Sequence, residues 1–306
     1  LSNMELIHWV ADYLKSWGIE SSLSKGADDS KANLFATLGP KGDGGIVLSG
    51  HTYVVPVDGQ PWDTDPFKVV EKDGKLYGRG TSDMKSFIAI ALALVPEFLE
   101  RGLKRPLHLA LTFDEEVGCL GVHHLIEDVK KHGLRPEAAI IGEPTNMEVV
   151  DAHKGIAGFR TTFRGVPAHS SMTHIGVSAT HSAGRFVAFL DDLFEEYQTR
   201  ARPDLGFVPP YTTIQVGIMN GGTASNIIAQ DAMVDWHFRT MPTDDPKAIE
   251  AAAREYLDEL KAKLAAQHPD TDVVTTVRSN VLPLKPDDAS PATQLALALT
   301  GANDTH

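Results

Sequence analysis

The sequence is poor in cysteine: Cys119 is the single one among 306 residues. That excludes an internal disulfide framework and is compatible with a reducing compartment, so a cytoplasmic location is expected. No apolar run reaches the ~18 residues that a membrane-spanning helix needs, so no membrane partner is expected. The N-terminal stretch reads as an amphipathic helix and lacks the basic and apolar regions of a signal peptide. There is no low-complexity segment and no internal repeat. Basic side chains are in the minority, 28 Lys and Arg against 41 Asp and Glu, for a formal charge of −13. Binding to nucleic acid by counterion release needs clustered Lys and Arg, so that class of partner is not expected either. A solvated acidic surface accounts for most of the excess. What the sequence has is an ordinary apolar fraction of 42%, 13 histidines, and length for about two domains.

Met4 to Trp17 carries apolar residues at helical spacing, with Gly18 as a stop. The run Ile46-Val47-Leu48 before Gly50-His51 predicts a buried strand ending in a functional loop. A helix is predicted over 85–99, a buried strand over 107–113, a helix over 121–131 and a strand over 138–141. Alternating helices and buried strands indicate an α/β sheet covered on both faces. The pattern changes near residue 154. A strictly alternating strand (158–164), a helix (176–199), two strands (212–218 and 232–239), a helix (246–265) and a strand (272–278) follow. This β-α-β-β-α-β order matches the ferredoxin-like split βαβ motif. Residues 290–299 return to a buried-helix pattern, so the second region reads as an insertion. The expected division is 1–153 with 281–306 against 154–280. The sequence starts on Leu1, and the turn signal at 301–306 leads into no strand, so it is expected to be part of a longer one.

His51, Asp83, the pair Glu115-Glu116, and Glu143 fall at or just beyond the C-terminal ends of the predicted α/β strands, the edge where open sheets form their sites. Each alone reads as a structural histidine or a solvated acid. Together they place several acid-bearing turns on one edge. Converging carboxylates repel unless a cation neutralises them, and histidine with carboxylates favours zinc or a neighbouring divalent metal.

Gly50-His51-Thr52 with Val54-Val55-Pro56, Tyr77-Gly78-Arg79-Gly80 with Asp83-Met84-Lys85, Asp114-Glu115-Glu116-Val117-Gly118, and Gly142-Glu143-Pro144-Thr145 occur in order. Together they resemble the zinc metallopeptidase family of acetylornithine deacetylase, succinyl-diaminopimelate desuccinylase, aminoacylase and glutamate carboxypeptidase. Gln60, Trp62, Asp65-Pro66-Phe67 and Gly118-Cys119 look most like the acetylornithine deacetylase branch. The resemblance implies a three-layer, zinc-exopeptidase-like α/β catalytic domain, truncated at its C-terminus, with an inserted ferredoxin-like lid or dimerisation domain. It implies metal-dependent hydrolysis of an N-acyl amino acid, N-acetylornithine in arginine biosynthesis. Zn2+ would be the cofactor, one ion or two, with Co2+ as a substitute. A homodimer through the insert is implied as well.

By position, the resemblance makes Asp83 the bridge between two metals. His51 and Glu143 would complete one site, Glu116 would bind the other ion, and Glu115 would be the general base. In Gly165-Val166-Pro167-Ala168-His169-Ser170-Ser171, His169 would donate to the tetrahedral oxyanion, in dimeric members from the partner subunit. Gly222 in Gly221-Gly222-Thr223-Ala224, and Asn226, would place donors near the substrate, and Arg239 would pair with its carboxylate. His169 has a cap of the following helix region as its alternative, with the functional reading ahead, and on residues alone Arg239 reads equally as a strand-end surface ion pair. His153, His174, His181 and His237 read as ordinary histidines, and Cys119 as packing.

The sequence departs from the family pattern at two places. Tyr53 stands where the family has an aspartate that accepts the metal histidine's second N–H. The phenol oxygen is the acceptor expected in its place, and Tyr53→Asp is expected to raise metal affinity or rate. The family's last metal histidine belongs to a final segment that this sequence does not contain, and His306 comes too early in the pattern to replace it. Occupancy by a single metal is therefore expected. Desuccinylase, aminoacylase or carboxypeptidase activity, or a catalytically impaired relic with one metal site, are the alternatives.

Overall fold

The computed structural model describes residues 2–26, 29–287 and 289–305; His306 lies outside them. The chain divides into two compact units, Leu1–Val150 with Asp288–Thr305, and Asp151–Asp287. The edges fall at 150/151 and 287/288 rather than at 153/154 and 280/281. His153 and Leu284 exchange backbone hydrogen bonds of 3.2 and 2.9 Å, which keeps both flanks with the second unit.

The first unit begins with α1 (Met4–Ser16), which buries Ile7, Val10 and Leu14 along one face and stops at Gly18, φ +77°. Strands β1 (Ser21–Lys25), β2 (Ala32–Leu38) and β3 (Ile46–His51) follow. Next come a small hairpin of β4 (Val70–Lys72) and β5 (Lys75–Tyr77), then α2 (Ser86–Ala93) and α3 (Val95–Arg101). Strand β6 (Leu107–Thr112), α4 (Leu120–Lys131) and β7 (Ala138–Ile141) complete this stretch. The sheet runs β1-β2-β6-β3-β7, with β3 parallel to β6 and β7, and β2 antiparallel to β1 and β6. Alternate residues of β2 face opposite ways. Leu34, Ala36 and Leu38 join α1, α2 and α3 in one core, and Phe35 joins Ala110 and Leu125 of α4 in another. Helices therefore cover both faces.

Two features differ from the sequence expectation. The helix predicted over 85–99 is divided between α2 and α3 at Leu94. Pro96 has no N–H to donate to the Leu92 carbonyl, so the ladder cannot pass through it. Strands β1 and β2 and the β4–β5 hairpin carried no recognised sequence signal.

In the second unit, β8 (Ile156–Arg164), α5 (Ala179–Gln198), β9 (Thr213–Gly221), β10 (Asp231–Arg239), α6 (Pro246–Gln267) and β11 (Asp272–Val281) form an antiparallel sheet ordered β11-β8-β10-β9. Strand β10 alternates strictly. Ala232, Val234, Trp236 and Phe238 enter a core with Phe163 and with Phe186 of α5 and Leu257 of α6. Asp235, on the opposite face, meets its register partner Arg160 at 2.6 Å. Helix α7 (Pro291–Thr300) belongs to the first unit and lies against β7. Among the described residues, no helix is long and apolar enough to cross a membrane.

Candidate metal centre

Strand β3 delivers His51 to the C-terminal edge of its sheet, where the ring is buried, 2% exposed. The loop beyond is pinned: Thr52 N–H and Oγ1 both reach the Thr112 carbonyl, at 2.8 and 3.0 Å, and Asn3 Nδ2 donates to Thr52 Oγ1 at 2.8 Å. His51 Nδ1 lies 2.8 Å from the backbone carbonyl of Tyr53. A carbonyl only accepts, so Nδ1 carries a proton, which leaves Nε2 as the ring atom that can ligate a metal. The expected phenol acceptor at residue 53 is thus corrected: the main chain reaches the imidazole instead. The Tyr53 ring lies under the Lys31 ammonium, 4.7 Å from its centre.

Nε2 faces carboxylate oxygens, with Asp83 Oδ1 at 2.8 Å, Glu115 Oε2 at 3.7 Å and Glu143 Oε1 at 3.8 Å. Asp83 sits in a tight turn, Thr81–Lys85, with non-helical φ/ψ of −117° and 99°. Gly80 enters that turn at φ +84°, and a Cβ there would lie 2.7 Å from Val54 Cγ1. Glu115 and Glu116 follow β6 through Phe113 and Asp114, whose φ is +52°. Their turn closes on α4 through Leu120 N–H to the Asp114 carbonyl and Cys119 N–H to the Glu115 carbonyl, at 3.1 and 2.9 Å. Glu143 leaves β7 after Gly142, whose N–H bonds the Ser49 carbonyl at 3.1 Å. A Cβ at Gly142 would meet the Phe87 ring at 2.0 Å, so the backbone passes directly over α2.

The electrostatics are those of crowded acids. Burial raises the Glu116 carboxyl above the usual carboxylate range, and Asp83 and Glu115 add to it; His51 and Arg79 oppose. Burial likewise raises Glu143, against the pull of His51 and with further push from Asp83, Glu115 and Glu116. Cys119 points Sγ toward Glu115 Oε1 at 3.7 Å, and burial followed by Glu115 pushes its thiol up. A thiol held protonated is a poor nucleophile, in keeping with packing.

This donor set fits a divalent cation. Zinc–nitrogen and zinc–oxygen bonds of about 2.0–2.2 Å put two ligand atoms of one ion at most about 4.4 Å apart. The separations from Nε2 satisfy that limit. Two groups are assembled, His51 with Glu115 and Glu143, and His51 with Asp83 and Glu116. The resemblance pairs the ligands differently, but the same side chains converge. Both groups draw on His51, whose Nε2 has one lone pair to give.

The remaining sequence-predicted residues lie in the second unit, gathered at opposite ends of β10. His169 bridges Ile227, and the Asn226 carbonyl accepts from Ser170 N–H at 2.9 Å. His169 Nδ1 accepts from Ser171 N–H at 3.3 Å, so the neutral ring carries its proton on Nε2, the donor form. Gly222, φ +76°, gives its N–H to the Asp231 carbonyl at 3.1 Å. That amide is spent in the sheet, which corrects the expectation of a free backbone donor there. Arg239 closes the far end of β10, about 26 Å along the strand from Asp231 at about 3.3 Å per residue. Its charge lowers the pKa values of Lys154 and His237, in each case after burial. His153, His174, His181 and His237 enter no metal-ligating group among the described residues.

Sequence reasoning missed Lys31, which donates to both oxygens of Asp114 at 2.6 and 2.8 Å. No spacing rule links a residue before β2 to the β6 turn.

The family model for peptidase family M20/M25/M40 matches residues 47–279. The chain belongs to this family. An acetylornithine deacetylase of Shigella sonnei is 38% identical over 247 residues, 79% of this chain and 62% of that protein. The chain thus spans less than two thirds of the length of that relative. An M20 family metallo-carboxypeptidase of Sulfolobus solfataricus superposes with a TM-score of 0.73 at 17% identity, over 98% of this chain and 78% of the other. A dinuclear metal-binding M20 peptidase of Bacillus subtilis does so at 0.57 and 15%, over 96% and 74%. These structures share the mixed α/β fold.

Proposed function

We propose that the chain belongs to a metal-dependent amidohydrolase that removes the acyl group from an N-acyl amino acid, with N-acetylornithine as the substrate of choice. The observation that carries this reading is the buried His51, its Nδ1 committed to a carbonyl and its Nε2 facing Asp83, Glu115 and Glu143 oxygens. The likeness to acetylornithine deacetylase supports the substrate.

His51, Asp83, Glu116 and Glu143 would hold zinc, or cobalt in its place. The bound ion would polarise the amide carbonyl and lower the pKa of the attacking water. Glu115 takes the water's proton on Oε2 and passes it to the leaving amine. His169 donates from Nε2 to the oxyanion, and Arg239 holds the substrate carboxylate. His169 and Arg239 mark opposite ends of β10, which supports a homodimer in which each site takes one of them from each protomer. The single cysteine supports work in the cytoplasm.

The test is ornithine release from N-acetylornithine by the zinc-dialysed protein, beside N-succinyl-diaminopimelate, an N-acetylated apolar amino acid and a glutamate-terminated peptide. The reading expects turnover of the first, loss on chelation, and a drop of at least about 100-fold in Glu115→Gln. Preference for another of these substrates would move the protein within the family. No turnover of any would sink the reading.

A further inference from the structure

Lys31 immediately precedes β2 and is unused by the proposed chemistry, yet its charge is deeply committed. The ammonium donates to Asp114 Oδ1 and Oδ2 at 2.6 and 2.8 Å, and it stands 4.7 Å from the centre of the Tyr53 ring. The Lys31 and Asp114 side chains keep only 20% and 13% of their exposure. Withdrawing two charges from water is costly unless the geometry is good. Here the doubled contact to a carboxylate and the aromatic face supply it.

What the cation touches matters more than its strength. Asp114 directly precedes Glu115 and Glu116, at a positive φ that fixes the direction of their turn. Tyr53 supplies the carbonyl that holds His51 Nδ1. One ammonium therefore grips both the loop that aims the imidazole and the loop that carries the glutamates. Its own base is rigid. Gly26 N–H bonds the Lys31 carbonyl at 2.8 Å, and Asn3 brackets the next residue, Ala32, at 2.9 and 3.0 Å while also donating to Thr52 Oγ1.

We propose that Lys31 is a positioning residue of the metal centre, setting the geometry of His51 and of Glu115–Glu116 through the Tyr53 ring and the Asp114 carboxylate. The inference rests on the metal-site reading above. Lys31 touches neither ion nor substrate. An aromatic side chain at position 53 offers a face that a cation can hold, and holding the ring holds the carbonyl of the same residue. Positive charge at position 31 is therefore the requirement, and arginine can meet it where methionine cannot.

The test uses the full chain in metal-free form, titrated with Co2+ and followed by calorimetry and by visible absorption, with thermal unfolding of each metal-free variant alongside. Lys31→Met is expected to bind Co2+ about 10- to 100-fold more weakly, as loss of a group supporting metal ligands typically does, with an altered absorption band. Lys31→Arg is expected to recover most of the affinity and the parent band. The double variant Lys31→Met/Asp114→Asn removes the pair without stranding a carboxylate. It is expected to unfold near the parent's temperature while still binding weakly. A folded double variant with the parent's affinity and spectrum would overturn the proposal, and so would Lys31→Arg binding as weakly as Lys31→Met. If the unsubstituted chain takes up no Co2+, the metal-site reading falls first and this inference with it.

Discussion

At position 53 one side chain and one backbone atom have separate jobs. The carbonyl accepts from His51 Nδ1, and the ring lies under Lys31. The hydroxyl does neither. Tyr53→Phe is therefore expected to leave zinc affinity within about twofold by calorimetry, the range of a neutral substitution. A large loss would return the phenol oxygen to the imidazole. The gain first expected from Tyr53→Asp is therefore withdrawn, because the main-chain carbonyl already serves Nδ1 and the variant removes the ring that Lys31 holds. His51, Glu115, Glu116 and Glu143 were legible because each closes a predicted buried strand or the turn beyond it, whereas Asp83, which follows the unrecognised β4–β5 hairpin, was legible only through its motif. The acceptor for His51 was not, because a sequence names side chains and this acceptor is main chain. Gly222 makes the same point, since only the sheet reveals that its N–H is already taken.

At the scale of elements, tight passages at glycine aim the acids. A Cβ at Gly121 would lie 2.2 Å from the Phe113 carbonyl oxygen, and backbone there cannot step aside. Gly121→Ala is therefore expected to cost about 1–3 kcal/mol in urea denaturation. Phe113 leads directly into Asp114–Glu116, so the same variant is expected to weaken metal binding as well. An unchanged midpoint would show that the turn is looser than its geometry implies. Strands β3, β6 and β7 were readable as short apolar runs. Strand β2 was not, because Asn33 and Thr37 interrupt its pattern. Asn33 is nonetheless fully buried, donating to the Gly121 carbonyl and accepting from Phe113 N–H. Its amide substitutes for the apolar residue the pattern would want, and it ties β2 to the turn that bears the glutamates.

At the scale of the molecule, the crowded acids make stability depend on metal and pH together. Glu116 and Glu143 have raised pKa values in the fold, so the folded state binds more protons than the unfolded one across the interval between the ordinary and the raised values. In that interval the metal-free chain loses stability as pH rises, and the loss is complete above the raised values. A divalent ion in place of those protons reverses it: zinc at 100 times its Kd adds about 2.7 kcal/mol. Thermal unfolding across the weakly acid range, with and without zinc, checks both signs. The opposite ends of β10 lead to a second test. If each site draws His169 from one protomer and Arg239 from the other, mixing inactive His169→Ala and Arg239→Ala chains restores one good site per mixed dimer, about a quarter of the parent activity. Mixtures as inactive as their components would contradict the shared site. The central claim, that His51 anchors a divalent metal, is tested most directly by the zinc content of the chain after dialysis, beside that of His51→Ala. Both candidate ligand groups depend on the one imidazole. The account predicts one tightly held zinc per chain and none in the variant. Zinc retained undiminished by His51→Ala, or no zinc in the unsubstituted chain, would contradict it.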